Sequence, residues 1–237
     1  MAWENLERTP IEGKFNRLFF VTNETGVPFL KRVPKDNPTL LKQIQAEYEG
    51  VMFLPLGGNF RKRTLEEQFS FSIKAAGLGL KVLPPSAIDR EAIYYPFLDQ
   101  VKSMKEYFSS KDARVSFVVN QLVNDLRRAH GFNVIYGDRW LPNILVKPEH
   151  KIVHIDFDIE ISGKWAREFE VSQIIYYTIL AGGKPALTAL IGSFQKDLWF
   201  NPGIVRTFLK ASAEFFKNTE YGGIDKLISE MSRNLTF

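Results

Sequence analysis

The chain has 237 residues, 45% of them apolar and 14% aromatic, enough to bury a core in one large or two small domains and too apolar for a disordered or collagen-like chain. Thirty-one basic side chains against 27 acidic ones give a net charge of +4, a mild bias that does not mark a nucleic-acid binder. There is no cysteine, which excludes disulfides, thiolate metal sites and cysteine nucleophiles.

The N-terminus carries acids in its first turns and lacks an apolar run of seven or more residues, so it does not read as a signal peptide, and a cytoplasmic location is expected. Between Lys14 and Pro34, two β-rich stretches flank Asn23-Glu24-Thr25-Gly26 and read as a hairpin. Residues 34–63, with Pro34, Pro38, Pro55, Gly57-Gly58 and the triplet Arg61-Lys62-Arg63, read as loop around a short helix near 39–49, the triplet being solvated. Thr64-Leu65-Glu66-Glu67 fits a capping box that opens a helix ending at Gly77, with Leu65, Phe69, Ile73 and Ala76 as its buried stripe. Lys81 to Leu83 and Ala92 to Tyr95 are strand-like, the second stopped by Pro96, and Val101 to Ala129 reads as helical. The apolar run 171–195 carries one charge, Lys184, and is broken by Gly182, Gly183 and Pro185. It reads as a buried core helix followed by a second helix, not as a membrane span.

The informative stretch runs from Ala129 to Gly163. Two short apolar strands, Ile144 to Val146 and Ile152 to Ile155, joined by a polar turn, make a second hairpin. Asp138 and Asn143 precede the first strand and Asp156 follows the second, so three oxygen-bearing side chains stand at adjacent ends of one hairpin. Phosphoryl transfer needs a carboxylate to orient the attacking hydroxyl and hard oxygen ligands to hold magnesium against the phosphates. Asp138 suits the first task, and Asn143 and Asp156 suit the second. Asn143 lies five and Asp156 eighteen residues after Asp138, the register of H-R-D-x-x-x-x-N and D-F-G.

With these residues in view, the chain resembles the protein-kinase-like superfamily, and within it the aminoglycoside and choline phosphotransferase branch, whose HGDxxxxN is echoed by Tyr136-Gly137-Asp138 and Asn143, and whose second motif is echoed by Asp156-Phe157-Asp158. The resemblance implies an α+β, two-lobed protein-kinase-like fold: residues 1–95 form a nucleotide-binding lobe of antiparallel sheet plus a helix, and residues 96–237 a mainly helical catalytic and substrate lobe. It implies ATP and Mg2+ as cofactors and a small-molecule hydroxyl as acceptor, since no long activation segment follows Asp156 to dock a peptide. A RIO-like small protein kinase or ATPase, with a protein substrate, and a catalytically weak nucleotide-binding module are the alternatives. By the same likeness, Gly13 belongs to a reduced phosphate-covering turn, and Lys31 to the strand lysine that holds the α- and β-phosphates. Glu66 becomes the helix glutamate that pins Lys31, and Tyr95 and Phe97 part of the linker beside the nucleotide. Tyr136 replaces the family's histidine as a buttress of the loop, and Glu170 falls near the aspartate that supports it. His150 and His154 sit in a turn and a strand, where their spacing of four does not make a zinc pair. Trp140 and Trp165 are expected to pack.

Overall fold

A computed structural model describes residues 3–6, 9–13, 15–110, 113–139, 141–195 and 198–235. Asn23 closes the first hairpin: its side-chain oxygen accepts from the backbone N–H groups of Thr25 and Val27, and Gly26 takes the left-handed conformation the turn needs. That hairpin, β3 (Asn16–Asn23) and β4 (Pro28–Pro34), is the centre of an antiparallel sheet. β1 (Trp3–Asn5) and β2 (Ile11–Glu12) pair with β3; on the other side β7 (Ile93–Pro96) pairs with β4, and β6 (Ala87–Ile88) with β7. Both faces of this sheet are covered. Leu18, Leu30, Arg32 and Tyr95 face the cleft, and Phe19, Val21, Phe29 and Tyr94 form a small cluster on the opposite face with Trp3, whose ring stacks on Tyr94 at 4.1 Å.

The segment 34–63 is more ordered than its prolines and glycines suggest. Asn37 caps α1 (Pro38–Gly50), accepting from the Leu40 N–H, with Pro38 in the first turn where its missing N–H costs nothing. β5 (Gly58–Lys62) follows and pairs with β11 (Ile159–Gly163), far along the chain. Tyr48, Val51 and Phe53 join the main core, where Phe53 stacks on Phe169 at 4.1 Å and 9°. Residues 38–62 therefore lie against the helical part of the molecule before the chain returns to α2 (Leu65–Gly77). α2 opens with the expected capping box between Thr64 and Glu67.

The helical part begins with β8 (Lys102–Ser103), α3 (Met104–Phe108) and α4 (Val115–Gly131), so the stretch read as one helix is two. A 3-10 turn at Leu141–Asn143 leads into the second hairpin, β9 (Ile144–Val146) and β10 (Ile152–His154), with Ile152 opposite Val146 and His154 opposite Ile144. α5 (Ala166–Phe194) absorbs the apolar run and is kinked at Gly183, just before Pro185, so that two helical stretches meet at the interruption. By length and composition α5 could cross a membrane, but its first part is sunk in the core against α4, α6 (Pro202–Phe216) and α7 (Asp225–Asn234). The architecture is α+β: an N-terminal curled antiparallel sheet with helix α2, and a mainly helical remainder.

Candidate active site

Strand parity decides which cation faces the cleft. Successive side chains on a strand point to opposite faces, and in β4 the residues aimed inward are Leu30 and Arg32, opposite Tyr95 and Ile93 of β7. Lys31 is therefore on the outer face, its ammonium 5.9 Å from the Tyr94 ring centroid. The expectation that Lys31 reaches the phosphate side of the cleft is corrected by one residue: Arg32 occupies that position, 5% exposed. Arg32 donates from Nη1 to Gln68 and from Nη2 to Asp156 Oδ1 at 2.9 Å, and pairs with Asp158 Oδ2 at 2.5 Å. With the Asn16 amide turned so that its oxygen faces the guanidinium, Asn16 accepts from Nε at 3.2 Å and Nη2 at 3.0 Å. Burial alone would lower the guanidinium pKa; the two aspartates outweigh it and raise it.

Glu66 is corrected in the same way. The inner stripe of α2 is Gln68, Ser72 and Ala75, not Leu65, Phe69 and Ile73; Ile73 is 43% exposed and Glu66 faces solvent. Small and polar residues form that stripe, which lets the helix approach closely while Gln68 reaches Arg32. An Arg32–Gln68 contact thus stands where the family likeness implied a lysine and a glutamate.

The other expected residues converge. Asp138, Asn143 and Asp156, together with Asp158, line a cavity of about 530 Å³ whose far wall is Leu40, Ile44 and Glu47 of α1. Gly13 lines it too, in the turn between β2 and β3, where its N–H donates to the Asn16 carbonyl and a Cβ would come within 2.6 Å of the Asn16 side-chain amide; Lys14 in that turn lies outside the described residues. Sharing Asn16, Leu18, Ile155 and Asp156 with this cavity is a narrower slot of about 120 Å³ walled by Leu30, Leu83, Leu98 and Leu145. Tyr95 lines the slot. Phe97 does not: its ring packs edge-on against Phe20 at 5.9 Å, and Pro96 and Leu98 take the lining positions. The slot is lined mainly by apolar side chains, and Asn143 and Asp156 carry side-chain oxygens of the type a hard cation takes.

The loop carrying Asp138 is fastened from below. Gly137 has φ +106°, and a Cβ there would lie 2.0 Å from the Ile159 carbonyl oxygen. Its N–H donates to Glu170 Oε1 at 2.8 Å, while Glu170 Oε2 is 2.7 Å from His130 Nε2. Tyr136, fully buried, donates to Asp125 Oδ2 at 2.6 Å and stacks on His154 at 4.5 Å, so an aromatic ring does serve as the loop's buttress. Asn143 Nδ2 donates to the Asp138 carbonyl at 3.1 Å, closing the loop on itself. Asp156 has φ +57°, a conformation that Asp tolerates better than most residues.

Two arginines do work that sequence reading did not assign. Arg139, 0% exposed, donates from Nη1 to the Ile155 carbonyl and from Nη2 to the Asp156 carbonyl, tying the two site loops together. Arg63 was expected to be solvated with its triplet; it is 7% exposed and bonds the carbonyls of Tyr136, Phe157 and Ile159. Burial lowers its pKa to about 10, which still leaves it charged at neutral pH. Arg61 pairs with Glu67 and Glu160. His150 bonds Tyr107 and His154 stacks on Tyr136, so the two histidines serve separate neighbours. Trp165 packs against the core, and Trp140 lies outside the described residues.

Burial, and then the charge of Asp156, raise the pKa of Asp138 against the lowering influence of Arg139, Tyr48 and Gln173. Burial also opposes ionisation of Asp156, but Arg32 outweighs it and holds that carboxyl below its usual range, while burial and Asp156 push the Asp158 carboxyl up. One charged aspartate and one readily protonated one thus flank Arg32.

No family model and no curated protein sequence matches the chain. Among solved structures it is similar to the Rio2 kinase of Chaetomium thermophilum, crystallised as an ADP/Mg2+-phosphoaspartate complex. The two are 16% identical with a TM-score of 0.55, over 97% of this chain and 71% of that one. The fold is protein-kinase-like. The identity is too low to carry more than fold, and on this kinase-like frame the cavity lies between the sheet and the second hairpin.

Proposed function

We propose that the chain is an ATP- and Mg2+-dependent phosphotransferase that moves the γ-phosphoryl group to a hydroxyl of a small molecule, in the manner of the aminoglycoside and choline phosphotransferase branch. The observation that carries this reading is the convergence of Arg32, Asp138, Asn143 and Asp156 around one cleft, from positions more than a hundred residues apart. In this reading residues to about 95 form the nucleotide lobe and 96–237 the catalytic lobe, with residues 38–62 lent to the acceptor side. A magnesium ion bound here would neutralise phosphate charge as it shifts to the leaving group. Arg32 would balance the remaining phosphate charge, and Asn143 and Asp156 would hold the metal. Asp138 orients the acceptor hydroxyl and takes its proton, a task its raised pKa favours. A cavity of about 530 Å³, with α1 as its far wall, is of the size that takes a small molecule.

The Rio2 likeness favours a second reading, a small protein kinase or ATPase in which a site aspartate carries the phosphoryl group. The deciding experiment measures Mg2+-dependent ATP turnover with a panel of small alcohols and amino sugars, with a protein extract, and with water alone. Acceptor-dependent turnover with a small alcohol, sharply reduced but still measurable in Asp138→Asn, supports the first reading. A hydroxylamine-labile phosphoenzyme with no small-molecule stimulation supports the second. Absence of turnover in all arms removes both and leaves a nucleotide-binding module.

A further inference from the structure

Asp138 is held in an unequal way. Both hydrogen bonds from other side chains reach the same oxygen: Tyr48 Oη donates to Oδ1 at 3.3 Å, and Gln173 Nε2 donates to Oδ1 at 3.3 Å. Among the described residues no hydrogen bond reaches Oδ2. Neither donor is free to turn away. Tyr48 is 1% exposed, and its ring is boxed edge-to-face by Phe53 at 5.6 Å, Phe60 at 5.3 Å and Phe169 at 5.0 Å. Gln173 is buried in α5 and held from its other end, its oxygen accepting from the Arg139 N–H. Burial keeps the Tyr48 phenol protonated far into the alkaline range, so at working pH it can only donate to a carboxylate. Contacts at 3.3 Å are at the loose end for hydrogen bonds, as is common where catalytic contacts tighten with substrate in place.

Tyr48 is also the point at which the 34–63 segment meets the chemistry. It sits one turn beyond Ile44 and two beyond Leu40 on the α1 face that walls the acceptor side of the cavity. We propose, on the phosphotransferase reading above, that Tyr48 with Gln173 is a positioning pair: it holds Asp138 by Oδ1 so that Oδ2 faces the acceptor hydroxyl, and it makes α1 the element through which acceptor contact is passed to the catalytic carboxylate. Tyr48 touches no reacting atom; it acts through Asp138.

The test is a steady-state comparison of the full chain, Tyr48→Phe, Asp138→Asn and the double variant, using Mg2+-dependent ATP turnover with the small-molecule acceptor that the wild type uses. Tyr48→Phe keeps the aromatic box and removes only the donor, so its melting temperature and its affinity for ATP and Mg2+ should match the wild type while kcat falls about tenfold. In the Asp138→Asn background the same substitution should cost nothing further, which a merely structural role would not produce. Wild-type kcat in Tyr48→Phe, or an equal loss in both backgrounds, overturns the positioning role while leaving the phosphotransferase reading intact. A wild type that turns over ATP with no acceptor overturns that reading and this inference together.

Discussion

Replacing Arg32 by Met leaves Asp156 and Asp158 facing each other with no cation between them. The guanidinium side chain is 6% exposed and bridges two carboxylates and Gln68. Removing one partner of such a buried group costs about 3–5 kcal/mol, which for a chain of this size lowers the melting temperature by about 6–20 °C. Lys31→Met, one residue away, removes a half-buried ammonium resting on Tyr94, worth about 0.5–1 kcal/mol, or about 1–4 °C. Differential scanning fluorimetry with and without ATP and Mg2+ separates the functional consequence. At a hundredfold excess over Kd the ligand adds about 2.7 kcal/mol, a rise that Lys31→Met should retain and Arg32→Met should lose. Arg32→Lys, which keeps a charge but not the planar fork, should fold and show a reduced rise. A variant set in which Lys31→Met abolishes the ligand-induced rise while both Arg32 variants keep it would refute the strand-parity argument.

Gly137→Ala should destabilise the fold by about 3 kcal/mol or more, because φ +106° and an approach of 2.0 Å to a backbone carbonyl both exclude a Cβ; urea midpoints read the loss, and a wild-type midpoint would contradict it. Phe53→Ala should cost about 3–5 kcal/mol by leaving a void against Phe169 at the root of the 38–62 segment, again measured by urea unfolding. Asp158 gives a pH signature opposite to that of a carboxylate whose pKa is lowered by its partners. Its folded pKa is raised above the unfolded value, so the folded state holds the proton more tightly, and its contribution to stability grows as pH falls from neutrality toward 4. Asp158→Asn should therefore be more stable than the wild type at pH 8 with the gap closing by pH 5; a gap that widens on acidification would count against it.

The second hairpin was legible because its signal is local: Asp138, Asn143 and Asp156 are spaced along a single turn-strand-turn-strand unit, and the structure sets all three on one cavity. The cation was not legible, because Leu18-Phe19-Phe20-Val21 and the neighbouring strand are apolar on both faces and conceal their parity. The α2 face failed for a related reason: helical periodicity finds large apolar residues, whereas Gln68, Ser72 and Ala75 are small or polar. Arg63, Arg139, Tyr48 and Gln173 bond groups remote in sequence, and no local pattern announces such partners. The one available hint was an arginine directly after the candidate base, in a stretch otherwise apolar enough to be buried.

The route of residues 38–62 bears on how the cleft can move. Kinase-like proteins whose two halves are joined by one linker can open and shut about it like a jaw. Here the polypeptide passes from the sheet to the helical body near residue 35, returns near residue 64, and leaves again after residue 96. A body fastened at three places has no single axis about which to swing, so opening of the cleft is confined to small adjustments of the Gly13 turn and of α1.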